Sequence, residues 1–163
     1  MKKFISVLLI CFLFITPALA DSYSELIEKA VTYTANGDTQ KAIASYQLAQ
    51  RVDPKKEEAF LKEAECHLNS ENFSEATRCI NSVLDLNPVS PDAWIMKCNI
   101  DIALDDLTSL EEDILFAEVC DADLSPIYPG IGMLYYARGQ YKDAAHYFSV
   151  SDFSSFDEST TAG

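Results

Sequence analysis

Outside its first twenty residues the chain holds two histidines, His67 and His146, and four cysteines, Cys66, Cys79, Cys98 and Cys120. These are the side chains that could ligate a transition metal, act as nucleophiles or form disulfides. A zinc site needs several Cys or His ligands converging at short spacing. Cys66 and His67 are the only close pair, and consecutive side chains on a helix diverge by about 100°, so the expectation is no metal and no cofactor. Nucleophile chemistry has no support either, because there is no G-x-S-x-G, no glycine-rich phosphate loop and no cysteine with a matching His and acid. Asp121-Ala122-Asp123-Leu124-Ser125 begins like a calcium loop. Pro126, however, stands where that loop needs glycine, and Gly132 where it needs its closing glutamate. The reading is a protein that is not an enzyme.

Composition narrows the class further. Lys2 and Lys3 precede an apolar run over 4–15, and Pro17-Ala18-Leu19-Ala20 follows. That order reads as a signal peptide over 1–20 with a small-residue cleavage site, which implies export to a bacterial periplasm or secretion. Cys11 follows bulky Ile10, which argues against a lipid-modified start. No later segment approaches the apolar length of a membrane span. The whole chain carries 12 basic and 26 acidic side chains. Without Lys2 and Lys3 the balance is 10 to 26, a net charge near −16 that excludes a phosphate-backbone partner such as nucleic acid. Acid concentrates between Asp105 and Asp123, which reads as a solvated face. The segment 152–163, rich in Ser, Thr and acid, reads as a disordered tail.

The elements that must position these residues come from an internal period of 34 residues. Around Gly37-Asp38 stand Ala30, Tyr33, Ala42, Tyr46, Ala49 and Pro54, spaced to share helix faces. The skeleton returns as Ala64, Phe73, Ala76, Ile80, Val83 and Pro88, then as Trp94, Cys98, Leu110, Ile114 and Ala117. A fourth copy has Tyr128, Ile131-Gly132, Tyr135, Ala144 and Phe148. The copies start at Tyr23, Glu57, Pro91 and Ser125 and fill 21–151. Eight helices are predicted, over 22–36, 39–52, 55–70, 73–86, 91–104, 107–120, 125–138 and 141–150. Small residues let the paired axes approach, and the aromatics fill the space beside them. His67 falls where Tyr33 and Tyr135 stand in other copies, and His146 falls on a flank.

This pattern resembles the tetratricopeptide repeat family, whose Leu-Gly, Tyr, Ala, Phe and Pro positions are matched best in the fourth copy and the first. The third departs, with Leu110 for a small residue and Ala122 for the proline. The resemblance implies an all-α solenoid of antiparallel helix pairs, in which the first helices line a concave groove that binds peptides or proteins. Carried over by phase, the groove positions are Ile27, Val31, Leu61, Glu65, Leu68, Ile95, Asn99, Ile102, Met133 and Tyr136, with Glu58 and Asp92 at the rim. The relatives that clamp a chaperone's C-terminal carboxylate use Lys, Asn and Arg there. Only Asn99 fits, so that ligand is not expected. The mainly aliphatic lining and acidic rim instead suit another protein or peptide, apolar with basic flanks. A structural or assembly subunit of an envelope or secretion complex, either self-associating or permanently incorporated, is the alternative. Four cysteines allow three disulfide connectivities in an oxidising compartment. Cys66 and Cys79 fall at the same height of one helix pair and could bond, although Cys is also a small core residue.

Overall fold

Each helix pair is closed by the same local device. The computed structural model, which describes residues 21–151, places Gly37, Glu71, Asp105 and Gly139 at positive φ, 76°, 55°, 58° and 73° respectively. They lie 34 residues apart in the sequence. At each, two amides fold back on the preceding helix. Gly37 N–H donates to Thr34 O and Asp38 N–H to Tyr33 O, and the pairs Glu71 to Leu68 with Asn72 to His67 repeat the pattern. So do Asp105 to Ile102 with Asp106 to Asp101, and Gly139 to Tyr136 with Gln140 to Tyr135. The left-handed residue satisfies the last carbonyls of one helix and reverses the chain into the next. The leader expected over 1–20 and the tail expected over 152–163 lie outside the described residues.

Among the described residues there are eight α-helices and no strand: α1 Tyr23–Ala35, α2 Thr39–Val52, α3 Glu57–Leu68, α4 Phe73–Leu86, α5 Pro91–Ala103, α6 Leu107–Val119, α7 Tyr128–Ala137 and α8 Tyr141–Val150. A 3₁₀ turn, Ser125–Ile127, precedes α7. The sequence predicts one continuous helix from Ser125, and the difference has a local cause. Pro126 and Pro129 remove two amides from the opening turns, and Ile127 N–H bonds back only three residues, to Leu124 O. None of the described helices is long and apolar enough to cross a membrane.

The chain divides at Pro54 and Lys55 into two units. In the first, α1 and α2 form one hairpin. A capping box opens α1, where Ser22 Oγ accepts from Glu25 N–H and Glu25 Oε2 accepts from Ser22 N–H at 2.7 Å. Leu26, Ala30, Ala42, Tyr46 and Ala49 are buried in it. In the second unit, α3 pairs with α4, α5 with α6 and α7 with α8, and α5 packs against α4. One of its core clusters holds Ala64, Ala76, Cys79, Ile80, Val83 and Ala93. The other runs from Cys98, Leu110 and Ile114 through Leu124 and Ile131 to Tyr135 and Ala144. Among the described glycines the tightest surroundings are at Gly132, where a Cβ would lie 2.6 Å from the Phe148 ring.

Candidate functional site

In the second unit the first helices of two successive hairpins, α3 and α5, bound a surface cavity of about 580 Å³. Four expected groove residues line it, Leu61 and Glu65 from α3 and Ile95 and Asn99 from α5, and the expected rim residues Glu58 and Asp92 are there too. Helical spacing accounts for the set. Glu58, Leu61 and Glu65 fall at i, i+3 and i+7 on α3, and Asp92, Ile95 and Asn99 fall at the same intervals on α5. Lys62 and Met96 complete the lining. The sequence reading missed both. Each follows an expected residue by one position, so the signal was a face broader than the single stripe assumed.

Charge in this cavity is directional. Three carboxylates, those of Glu58, Glu65 and Asp92, face it with one ammonium, that of Lys62. Lys62 Nζ donates to both Glu65 oxygens at 2.9 Å, which ties the lysine to an acid of the same wall. The floor is apolar. Leu61 and Met96 pack against the core cluster of α3 and α4, and Ile95 against that of the later hairpins.

The other expected groove residues are distributed differently. Leu68 and Ile102 are half-buried against the core, and Ile102 lies where a Cβ on Gly130 would meet it at 3.3 Å. Met133 and Tyr136 are exposed on α7, with Tyr136 edge-on to Tyr141 at 5.4 Å between centroids. Ile27 is half-buried and Val31 exposed on α1, in the first unit. A hollow of about 390 Å³ there is lined by Glu25, Glu28, Lys29, Thr32 and Tyr33.

Two buried polar groups sit inside the hairpins of the second unit. In the third hairpin Lys97 Nζ donates to Asp113 Oδ1 at 2.7 Å, and the ammonium lies 5.1 Å from the centroid of the Trp94 ring. Asp113 is therefore not part of the solvated acidic face expected of its neighbourhood; it is 3% exposed. Asp101 beside it is also buried. Burial, a hydrogen bond with Asp113 and the charge of that carboxylate push the Asp101 carboxyl up to about 7.

In the second hairpin Glu63, His67 and Cys79 converge, all buried. Cys66, Cys79 and Cys98 are buried thiols and Cys120 is half-buried. Burial pushes the Cys79 and Cys98 thiols up to about 12, far from the depressed values of nucleophilic cysteines. His146 is exposed on α8, edge-on to Tyr147.

Comparison with known proteins gives a consistent architecture. A family model described as tetratricopeptide repeat matches residues 33–107. The comparison with curated proteins finds no match. Among solved structures, a crystal structure of MamA is similar at TM-score 0.70 and 20% identity, covering 82% of this chain and 78% of that one. The TPR2B domain of yeast Sti1, in a complex with pHsp70, is similar at TM-score 0.58 and 20% identity, covering 76% and 96%. The first TPR of Spaghetti (RPAP3), bound to the HSP90 peptide SRMEEVD, is similar at TM-score 0.54 and 18% identity, covering 78% and 94%. The chain thus has the all-α, helix-hairpin solenoid fold of these proteins, and tetratricopeptide repeat sequence is matched over 33–107.

Proposed function

We propose that the protein is a non-enzymatic interaction module whose cavity between α3 and α5 takes a segment of another protein, an apolar side chain flanked by basic residues. The observation that carries this reading is the cavity itself: an apolar floor of Leu61, Ile95 and Met96 under three carboxylates and one lysine. An apolar side chain entering there removes surface from water, at roughly 25 cal/mol per Å². A flanking Lys or Arg meets Glu58 and Asp92. The similar structures with bound HSP90 and pHsp70 partners lend the fold-level precedent of peptide capture. The acidic peptide SRMEEVD is the opposite charge type from the one this lining suits. The leader-like sequence at 1–20 supports export, and we place the partner among exported or envelope proteins.

The test is capture of partners from an envelope extract, followed by titration of a peptide from the strongest hit. Leu61→Arg and Ile95→Arg put charge on the apolar floor and should weaken binding at least tenfold, while Val150→Arg, exposed on α8, should leave it unchanged. Equal binding by wild type and the Leu61→Arg, Ile95→Arg double variant would remove the cavity from consideration.

A second reading, incorporation into an assembly, is favoured by α6. Leu115 and Val119 stand one turn apart on it with 62% and 81% of their surface exposed, beside Phe116. Light scattering on purified protein tests the self-associating form of this reading, which a monomer at micromolar concentration would sink.

A further inference from the structure

Glu63, His67 and Cys79 are brought together by hairpin geometry. Glu63 and His67 are four residues apart on α3 and share its buried face, and Cys79 faces them from α4. Their ligand atoms all lie within 4.8 Å of one another. His67 Nε2 is buried and makes no hydrogen bond. It stands 3.5 Å from Glu63 Oε1, longer than a charge-assisted hydrogen bond. Ligand atoms around a tetrahedral zinc ion are about 3.3–3.7 Å apart, given bonds of about 2.0–2.3 Å. We propose that Glu63, His67 and Cys79 form a buried three-ligand site for a divalent cation of the zinc class.

Thiolate, imidazole and carboxylate together select a borderline ion over magnesium or calcium, which take oxygen ligands. Charge balances within the site. The Cys79 S–H bond breaks, its proton passes to solvent, and a sulfur–metal bond forms. The thiolate and the Glu63 carboxylate then neutralise the dication. Arg78 holds the cation's place in its absence, with Nη2 3.0 Å from Glu63 Oε1 and 3.4 Å from Cys79 Sγ. Its side chain is half exposed and also bonds Glu75 Oε2 through Nε at 2.8 Å, so the guanidinium can turn outward while keeping Glu75. The fourth coordination position opens where Arg78 now lies.

The neighbouring hairpin shows why the second one differs. One repeat on, Glu63, His67 and Cys79 become Lys97, Asp101 and Asp113, and there Lys97 supplies the positive charge to Asp113 from inside the hairpin. In the second hairpin all three equivalent positions are ligand types, and the positive charge comes from the half-exposed Arg78 until a cation replaces it.

The period also supplies variants suited to the fold. Cys79→Ser introduces the residue at the equivalent Ser45, and His67→Phe introduces the ring of the equivalent Tyr33 and Tyr135 without its hydroxyl. The probe is cobalt(II), added to the full chain after reduction and chelator treatment, because a bond between Cys66 and Cys79 would remove the ligand. One equivalent should produce thiolate-to-cobalt charge-transfer absorption that zinc abolishes. His67→Phe and Cys79→Ser should each weaken binding about tenfold or more with helical circular dichroism retained, and Cys66→Ser should leave it intact. Arg78→Ala keeps every ligand and removes the competitor, so it should bind cobalt several-fold more tightly. No charge-transfer absorption from the wild type, absorption that survives Cys79→Ser, or weaker binding by Arg78→Ala would overturn the site.

Discussion

Gly132 lacks a side chain because Phe148 fills the space one would take. A Cβ there would stand 2.6 and 2.8 Å from two ring carbons. Gly132→Ala must displace that ring within the last hairpin, at a cost of about 1–3 kcal/mol. Thermal unfolding should show a clearly lower Tm, and Phe148→Leu in the same chain should restore part of it, because the equivalent pair in the second hairpin is Ala64 with Ile80. Asp101 gives a prediction in pH. Its carboxyl is pushed up to about 7 in the folded chain, against about 3.9 unfolded. Between those values the folded state holds a proton that the unfolded state has released, so stability falls as pH rises through that window and levels off above it. Asp101→Asn removes this titration. In urea unfolding its stability relative to wild type should improve from pH 5 to pH 8, and a constant difference would show that Asp101 does not titrate there. The close approach at Gly132 was legible because small and large residues alternate at fixed phase. The meeting of Glu63, His67 and Cys79 was not, because the search for ligands looked along the chain while the third ligand comes from across the hairpin, sixteen residues from Glu63. Asp113 was misread for the same reason: acidic neighbours suggested a solvated face, whereas its phase is that of buried Cys79.

At the scale of the element, the four turns at 37, 71, 105 and 139 use one backbone conformation with two different residue types. Gly37 and Gly139 adopt it freely, but Glu71, at φ 55°, holds a side chain in a region that costs L-residues about 1–2 kcal/mol. Glu71→Gly should therefore stabilise the protein by about 1 kcal/mol, read as a higher urea midpoint with unchanged slope. Asp105→Gly should gain less, because Arg138 Nη1 pairs with Asp105 Oδ1 at 2.8 Å and its Nη2 donates to the Asp105 carbonyl. Helices α2, α4 and α8 fall on the expected bounds, since Gly-Asp, Glu-Asn and Gly-Gln turns mark their starts and Pro54 and Pro88 follow the first two. The start of α7 could not be placed from its apolar spacing, because two prolines decide which amides remain to bond.

At the scale of the whole molecule, 26 acids against 12 bases leave a net charge of −14. If the cavity takes a segment with basic flanks, that field accelerates encounter and is screened by salt. Raising ionic strength from about 50 to 500 mM should lower affinity several-fold, mainly through the association rate. A partner held by apolar contact alone would bind equally at both. One more consequence follows from the tight hairpin turns. Among the described residues each helix meets its hairpin partner after a loop of a few residues, so the entropy lost in closing each pair is small. Folding dominated by such short-range closures is fast, on a scale of roughly microseconds to milliseconds. A chain emerging gradually during synthesis completes each hairpin soon after its second helix is released, leaving little time for exposed apolar surface to aggregate.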